Sequence, residues 1–162
     1  KSKDLIIDLR NNPGGYLDSA IYMASFLLPA GQTIVSEDYS GKQDSVVHTS
    51  QGFPLLDNKS NKVAILVDGG SASASEILAG ALHDNDRAIV VGEKTFGKGS
   101  VQEIVQITDD TLLKVTIAKW LTPKGVSIQD NGITPEHIMT LPKDWKTGDK
   151  DTVMEKAKEL LK

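Results

Sequence analysis

The sequence predicts an α/β fold in which a parallel βαβ core carries added β-hairpins and a C-terminal helix. Three short apolar runs, residues 5–9, 63–67 and 88–91, are rich in β-branched side chains and short enough to be buried strands. Each run leads into a glycine-rich loop, and segments with apolar residues at helical spacing follow the first two loops. Strands that alternate with helices in this way form parallel sheets with right-handed crossovers.

The first part of the chain follows this pattern in order. A helix is expected after the first strand, and the proline and glycine within residues 29–31 end it. Residues 33–39 and 45–49 predict the two strands of a hairpin, and residues 50–61 have the composition of a loop. The apolar stripe of the helix consists of Leu17, Ala20, Ile21, Ala24 and Leu28.

The middle of the chain repeats the strand, loop and helix pattern and then changes. A second helix is expected after residues 63–67 and runs out at 83–87. Beyond the third strand, residues 101–107 and 111–118 alternate between apolar and polar side chains and predict a second hairpin. The apolar residues of the second helix are Ile77, Leu78, Ala81 and Leu82.

The last part of the chain predicts short strands and then one helix. Turn-forming residues at 122–125 and 130–132 separate the expected short strands. Residues 151–161 form an amphipathic segment, which predicts the C-terminal helix. Its apolar face carries Val153, Met154, Ala157, Leu160 and Leu161.

The composition describes an ordinary globular domain. A chain of 162 residues with 39% hydrophobic and 25% charged residues suits a single domain. The net charge of −4 provides no basic excess, so nucleic acid is not the expected partner. Without cysteine, the chain has neither a disulfide framework nor a thiol nucleophile. No apolar run approaches the roughly 18 residues of a membrane span. Because the chain begins without methionine directly before a strand, we expect it to be part of a longer protein.

Three serines lie where the second strand gives way to its helix. Ser71, Ser73 and Ser75 follow two glycines, and the N–H groups at a helix start are unpaired and favour negative charge. An oxygen nucleophile needs such donors, because they stabilise the oxyanion that it generates. Residues 73–76 also match the Ser-x-x-Glu capping box, in which Ser73 and Glu76 satisfy each other's backbone donors. One serine can serve both purposes, and the residues alone do not choose among the three.

The loop after the third strand places a lysine between two glycines. Residues 92–98 read Gly-x-x-x-x-Gly-Lys, but Gly99 stands where a phosphate-binding loop needs Ser or Thr, and a strand pattern follows instead of a helix. Nucleotide binding is therefore disfavoured. A lysine removed from water loses its charge and can accept a proton from a serine hydroxyl. Lys98 is the lysine around which the backbone can pack closely, although a solvated surface lysine is the commoner fate.

The sequence supports neither a histidine base nor a metal site. His83 lies ten residues after Ser73 on the same expected helix, about 15 Å along its axis, so it cannot reach the hydroxyl. His48 falls in a polar hairpin and His137 in an irregular segment. No spacing typical of metal ligands is present, so neither a metal nor another cofactor is expected. Because parallel strands end at one edge of a sheet, the loops that begin at Arg10, Asp68 and Gly92 are expected to be neighbours.

Three motifs in the right order resemble the bacterial carboxyl-terminal processing proteases, also called tail-specific proteases. The motifs span residues 8–15, 70–76 and 95–102, and residues 119–123 and 132–135 extend the resemblance over nearly the whole chain. The resemblance implies a core of the crotonase/ClpP-like type. It also implies that residues 1–162 are a partial protease catalytic core domain, without the PDZ domain and the strand that usually precede it.

The resemblance also implies roles for individual residues. Ser73 matches the nucleophile, Lys98 the general base and Gln102 the residue that holds the lysine amine in position. The oxyanion hole would combine the Ala74 N–H with that of Gly14 or, as the less favoured choice, Gly15. Supporting positions are Gly15, Glu76 as the capping partner, Asp84 as the residue that closes the helix, and Thr95 as the residue that fixes the lysine loop. From the residues alone, Gln102 reads as an ordinary strand residue and residues 13–15 as a simple turn.

The function implied is a serine endopeptidase that cuts proteins near their C-termini, often after an apolar residue, through an acyl-enzyme. Its partners would be a protein or peptide substrate and a PDZ domain that captures the substrate's end by strand addition. The family places it outside the cytoplasm, as a membrane-anchored, periplasmic or secreted protein. Two alternatives remain at this level: a non-catalytic binding domain on the same scaffold, and an acyl-coenzyme A enzyme of the related crotonase-like fold.

Overall fold

A computed structural model describes residues 4–53 and 60–162. Within these residues the chain forms eight strands and three helices. In the first half the order is β1 (Leu5–Asp8), α1 (Leu17–Ser25), β2 (Thr33–Asp38), β3 (Val46–Thr49), β4 (Val63–Val67) and α2 (Ala74–Asp84). In the second half it is β5 (Ile89–Gly92), β6 (Ser100–Thr108), β7 (Thr111–Leu121), β8 (His137–Ile138) and α3 (Thr152–Leu160).

The core is a four-stranded parallel sheet in the order β1-β4-β5-β8. All five residues of β4 are buried, because both faces of this strand are covered. Val63, Ile65 and Val67 pack in the cluster shared with α1 and α2. Ala64 and Leu66 face the opposite side and pack against α3. The uninterrupted apolar run at residues 63–67 is thus explained, because β4 lies between two helical layers.

A second, antiparallel sheet in the order β3-β2-β7-β6 lies beside the core. Ile34 and Val35 of β2 are fully buried and join it to the same cluster as α2. The hairpin of β6 and β7 extends beyond this contact, and most of its side chains are exposed on both faces. Both predicted hairpins are confirmed, and the second is longer than expected.

The predicted strands of the parallel core and all three helices are confirmed, with shifts at their ends. The first helix stops at Ser25 rather than reaching Leu28, although Leu28 is buried. The prediction of a loop over residues 50–61 is met where the chain is described, and residues 54–59 lie outside that part.

The expectation of further short strands beyond the second hairpin is confirmed in part: β8 follows the second turn, but no strand forms between the two turns. Between the turns there is only a bridge from Leu121 to Ser127. The backbone groups are used in turns instead: the N–H of Gly125 donates to the carbonyl of Thr122 at 2.8 Å, and the N–H of Thr122 to that of Val126 at 2.9 Å. A chain that turns this tightly has no free backbone groups for a ladder.

The C-terminal helix matches its prediction closely. Asp151 is its N-cap and accepts a hydrogen bond from the Met154 N–H at 2.9 Å. Val153 and Ala157 are buried against the outer face of the parallel sheet. In the part of the chain that is described, no helix has both the length and the apolar character needed to cross a membrane.

The loops at the C-terminal edge of the parallel sheet converge as expected. The N–H of Asn11 donates to Asp68 Oδ1 at 2.8 Å, which joins the first loop to the second. The N–H of Phe96 donates to the carbonyl of Ser71 at 3.0 Å, which joins the second loop to the third. Segments about sixty and ninety residues apart in sequence therefore share one site at the sheet edge.

Candidate active site

The three serines at the start of α2 differ in what their hydroxyls do. The Ser71 hydroxyl is fully buried and donates to the carbonyl of Leu9 at 2.8 Å. The Ser75 hydroxyl donates to the carbonyl of Asn12 at 3.1 Å. Ser73 is half-buried, and its hydroxyl makes no hydrogen bond of good geometry within the described residues. Two serines thus hold neighbouring strands and loops together, and only the middle hydroxyl is available for chemistry.

Ser73 occupies a strained backbone position directly before the first residue of α2. Its φ of 57° and ψ of −119° are rare for a residue with a side chain. Such strain persists only where surrounding contacts enforce it, and it occurs disproportionately at functional sites. The conformation places the residue at the positive end of the helix.

Glu76 connects this position to the lysine loop. Its side chain is fully buried and accepts four hydrogen bonds. Oε2 accepts from the N–H of Ser73 at 2.8 Å and from the N–H of Lys98 at 2.9 Å. Oε1 accepts from the N–H of Gly97 at 2.7 Å and from the Thr95 hydroxyl at 2.5 Å. Both carboxylate oxygens are therefore satisfied, which is the condition for keeping a buried charge.

The capping box predicted for Ser73 and Glu76 is present, but its two halves are unequal. The glutamate half is the 2.8 Å bond described above. In the serine half, the Ser73 hydroxyl oxygen faces the N–H of Glu76, which also donates to the main-chain carbonyl of Ser73 at 2.9 Å. The cap therefore fixes the backbone of Ser73, while its hydroxyl proton is donated to no acceptor in the described residues.

Gly14 lies directly against the turn that carries Ser73. Its φ is +90°, and an added Cβ would lie 2.4 Å from the Ala72 carbonyl oxygen and 2.7 Å from the Ala74 nitrogen. No other residue fits here.

The choice of Gly14 as oxyanion donor needs correction. Its N–H donates to Asn12 Oδ1 at 2.9 Å, because the asparagine side chain folds over its own turn. Within residues 4–53 and 60–162, the N–H groups of Gly15 and Ala74 have no hydrogen-bond partner. Gly15 and Ala74 also line the same cavity as Ser73. In this conformation the available pair of donors is therefore Gly15 and Ala74.

Lys98 and Gln102 share that cavity with Ser73. The cavity has a volume of about 190 Å³ and is bounded by Trp120 on its inner side. Lys98 is exposed, which contradicts the expectation of a sheltered amine. In the described part of the chain the amine of Lys98 makes no hydrogen bond or ion pair, and the exposed Gln102 side chain makes no hydrogen bond either.

The glycines around Lys98 serve the backbone rather than the amine. A Cβ at Gly99 would lie 2.1 Å from the nitrogen of Gln129, and Gly97 has a φ of +88°. The loop is therefore pressed against residues 128–132. The close backbone packing that the sequence predicts is present, but it fixes the direction in which the lysine side chain leaves the loop and does not desolvate its end.

Two supporting residues lie at different distances from this centre. The Thr95 hydroxyl, besides donating to Glu76, accepts from the N–H of Ile133 at 2.7 Å, so it ties the lysine loop to the chain that follows the turns. Asp84 is the last residue of α2, at the end opposite Ser73, and accepts from the N–H of Lys124 at 3.0 Å. It anchors the helix and does not reach the cavity.

The charge of Asp84 is also stabilised. Burial raises the pKa of its carboxyl, but three neighbours together lower it by more, to below the ordinary value. They are the Thr122 hydroxyl, which lies close without a well-aligned bond, the Lys124 N–H and the His83 ring.

Sequence reasoning missed Asn12. Its carbonyl accepts from the N–H of Ala72 at 3.0 Å and from the Ser75 hydroxyl, while its side chain accepts from Gly14. One residue thus holds the glycine loop against the start of α2. Its place in the Asn-Asn-Pro-Gly-Gly cluster could have indicated this role, because asparagine is a turn former whose side chain bonds the nearby backbone.

Comparison with known proteins gives consistent results. The profile of peptidase family S41 matches residues 1–139. A protein named "Probable CtpA-like serine protease" from Staphylococcus aureus is 46% identical over 141 residues, which are 87% of this chain and 28% of that protein. One of the same name from Staphylococcus epidermidis is 47% identical over 141 residues, with the same shares.

Among solved structures, the photosystem II D1 C-terminal processing protease is similar with a TM-score of 0.77 and 36% identity. The similarity covers 88% of this chain and 36% of that one. The chain thus spans 28% of the length of the two staphylococcal relatives.

Proposed function

This chain belongs to peptidase family S41, and from that membership we propose that it is the catalytic core domain of a serine protease with a Ser73–Lys98 dyad. The main observation behind the proposal is that, of the three serine hydroxyls at the start of α2, only that of Ser73 is available for chemistry. Within the described residues, Ser73 is the one of the three serines whose hydroxyl donates to no carbonyl, and it lines the cavity that Lys98 also lines. The buried carboxylate of Glu76 holds the backbone of both residues.

In the first chemical step, Ser73 Oγ attacks the carbonyl carbon of a peptide bond while the neutral amine of Lys98 takes the hydroxyl proton. The oxyanion that forms is stabilised by the N–H groups of Gly15 and Ala74, which have no partner in the described residues and line the cavity. The C–N bond then breaks, and Lys98 returns the proton to the leaving amine. The product is an ester between the substrate's acyl group and Ser73.

In the second step, water attacks the ester carbonyl carbon while Lys98 accepts one of its protons. The bond from that carbon to Ser73 Oγ then breaks, Lys98 gives the proton to Oγ, and the acyl group leaves as a carboxylic acid. The side-chain carbonyl of Gln102 accepts a hydrogen bond from the lysine amine and so directs it at the reacting oxygen. The exposed Lys98 and Gln102 side chains fit this role once a substrate covers the cavity. A bound peptide excludes water from the amine, and the loss of water favours its neutral form.

A second cavity indicates where a substrate side chain fits. It has a volume of about 370 Å³, lies beside Gly15 and Ala74, and is lined mainly by apolar side chains such as Leu9, Met23 and Leu78. A substrate whose carbonyl oxygen is bound by the two donors can place an apolar side chain there. This supports cleavage after an apolar residue.

The finer features of the proposal come from the relatives. The name of the D1 C-terminal processing protease supports cleavage near a C-terminus. We also propose a crotonase/ClpP-like scaffold, a PDZ domain elsewhere in the whole protein that presents the substrate's end, and a location outside the cytoplasm.

The competing function is a non-catalytic binding domain on this scaffold. Lys98 favours it, because within the described residues its side chain is exposed and makes no hydrogen bond to Ser73 or Gln102. The alternative predicts a bound peptide that is never cleaved.

The test uses the full-length protein that contains this chain, with a peptide bearing an apolar residue near its C-terminus. Ser73→Ala and Lys98→Ala are expected to abolish cleavage while thermal unfolding stays close to that of the unchanged protein. The matched control is Lys94→Ala, since Lys94 is an exposed lysine of the same loop that does not line the cavity. Full activity in either dyad variant would disprove the dyad. Binding without cleavage by the unchanged protein would establish the competing function.

A further inference from the structure

The loop that carries the free oxyanion donor is tied, at its first residue, to the C-terminal helix. Arg10 is the first residue of this loop and donates two hydrogen bonds to Asp8, from Nε at 2.9 Å and from Nη2 at 2.6 Å. Its remaining nitrogen, Nη1, lies 2.8 Å from Oδ2 of Asp151, a distance that forms an ion pair although the two groups are not aligned for a hydrogen bond. One guanidinium thus joins the end of β1 to the cap of α3.

Asp151 uses its two oxygens for different purposes. Oδ1 accepts from the N–H of Met154 and so caps α3, while Oδ2 faces Arg10. The side chains of Arg10 and Asp151 are only 16% and 21% exposed, so this ion pair is partly shielded from water. Shielded pairs of this kind are less screened than pairs on an open surface.

The helix on the far side of this contact is firmly seated. Val153 and Ala157 are buried against Leu66 and Val91 on the outer face of the parallel sheet. The range matched by the family profile ends at residue 139, so α3 lies outside it. An element beyond the matched range therefore contacts the loop that belongs to the first motif.

From Arg10 the loop runs through Asn12 to the glycines at the cavity. On the side of α2 it is held by Asn12, which bonds Ala72 and Ser75. At its first residue the contact between Arg10 and Asp151 supports it. The loop is thus held at two points before it reaches Gly15.

We propose that α3 positions the oxyanion loop through the Arg10–Asp151 contact, so that movement of this helix changes the catalytic rate. Arg10 and Asp151 are positioning residues, which touch neither substrate nor reacting atoms. The link to rate rests on the proposed protease function, whereas the mechanical link between helix and loop does not. A shift of α3 on the sheet would then change the geometry of the site, although α3 packs on the face of the sheet opposite α2.

The first measurement is amide hydrogen exchange of the full-length protein in the segment 10–16. Asp151→Ser separates the two roles of the aspartate, because serine still caps a helix but is too short to reach Arg10. We expect exchange in this segment to rise about fivefold, as fits the loss of a partly shielded ion pair, with exchange in α2 unchanged. Asp151→Asn keeps both cap and shape and removes only the charge, so it serves if the serine variant folds poorly.

The second measurement is steady-state kinetics. Asp151→Ser is expected to lower kcat severalfold and leave KM unchanged, because oxyanion donors act in the transition state and not in substrate binding. The matched control is Glu155→Ala, which removes an exposed ion pair with Lys158 on the same helix and should change neither quantity. Combining Asp151→Ser with Arg10→Gln should add nothing to the effect of Arg10→Gln alone.

The outcomes separate the two proposals. Unchanged exchange in segment 10–16 of both Asp151 variants overturns the positioning role, whatever the protein catalyses. Faster exchange, with no peptide cleavage by the unchanged protein, leaves the link between helix and loop intact and disproves the protease function. Faster exchange together with an unchanged kcat overturns the inferred effect on rate.

Discussion

Ser73 and Lys98 donate their main-chain N–H groups to the same oxygen, Oε2 of Glu76. The two residues are 25 positions apart and belong to different loops, yet a single buried atom sets their spacing. The candidate nucleophile and base are therefore positioned through their backbones. Their side chains remain free of structural duties.

Replacing Glu76 tests this shared support. In Glu76→Gln an NH₂ group must face at least one of the four donors, so a buried hydrogen bond becomes a repulsive contact. We expect the free energy of unfolding to fall by about 2–4 kcal/mol and peptide cleavage to be lost. Denaturant unfolding and a cleavage assay measure the two effects. Glu93→Gln is the matched control, because Glu93 follows β5 and its side chain makes no hydrogen bond within the described residues.

Gly14 is expected to tolerate no side chain. In Gly14→Ala the new Cβ meets the Ala72 carbonyl oxygen at 2.4 Å and the backbone keeps an unfavourable φ of +90°, so we expect a loss of about 2–4 kcal/mol in unfolding free energy. Gly15→Ala and Gly69→Ala provide the comparison. An added Cβ at either position has nothing within 4 Å, so both variants should unfold within about 1 kcal/mol of the unchanged protein. Equal destabilisation at all three positions would contradict the close approach of Gly14.

Thr95 is expected to be required for its hydroxyl and not for its methyl group. Thr95→Val leaves Glu76 Oε1 short of a donor and the Ile133 N–H without an acceptor, both of them buried. Two unsatisfied groups predict a loss of about 2–4 kcal/mol. Thr95→Ser retains both hydrogen bonds and should lose less than about half as much. Thermal unfolding of the pair separates the two contributions.

Asp84 predicts a definite dependence of stability on pH. Its folded pKa lies below the ordinary value of 3.8, so its contribution is complete above that value and is lost as the pH falls through the folded pKa. Asp84→Asn should therefore destabilise the protein at pH 7 by about 1–3 kcal/mol, as expected for hydrogen bonds to a charged group. The difference from the unchanged protein should shrink below about pH 4. Asp109→Asn, in the exposed turn of the β6–β7 hairpin, should show no such trend.

The parallel core was predictable because its signal is local. Residues 63–67 are apolar without interruption, and this pattern fits a strand covered on both faces, as β4 is. The convergence of three loops then followed from the rule that parallel strands end at one edge. The expected short strand between the turns at residues 122–125 and 130–132 did not form, because Gly125 and Gly132 have positive φ values and the chain turns on itself there, whereas β8 follows the second turn.

The choice among the serines was not predictable from the residues, because it depends on distant partners. Ser71 and Ser75 bond carbonyls 62 and 63 positions away, and only the folded chain shows that Ser73 has no such partner. The resemblance supplied the choice of Ser73, and the geometry is in accord with it. The solvation of Lys98 was also beyond local rules, since flanking glycines determine how the backbone packs and not what covers the end of a long side chain.

The long β6–β7 hairpin has a consequence for handling the protein. Among the described residues no strand pairs with the outer edge of β6, and Ile104, Ile107 and Leu112 of β6 and β7 are each more than half exposed. A second polypeptide can add a strand to an unpaired edge that carries exposed aliphatic side chains. Samples limited to these 162 residues should therefore self-associate as their concentration rises, and a lysine placed at Ile104 should keep them dispersed.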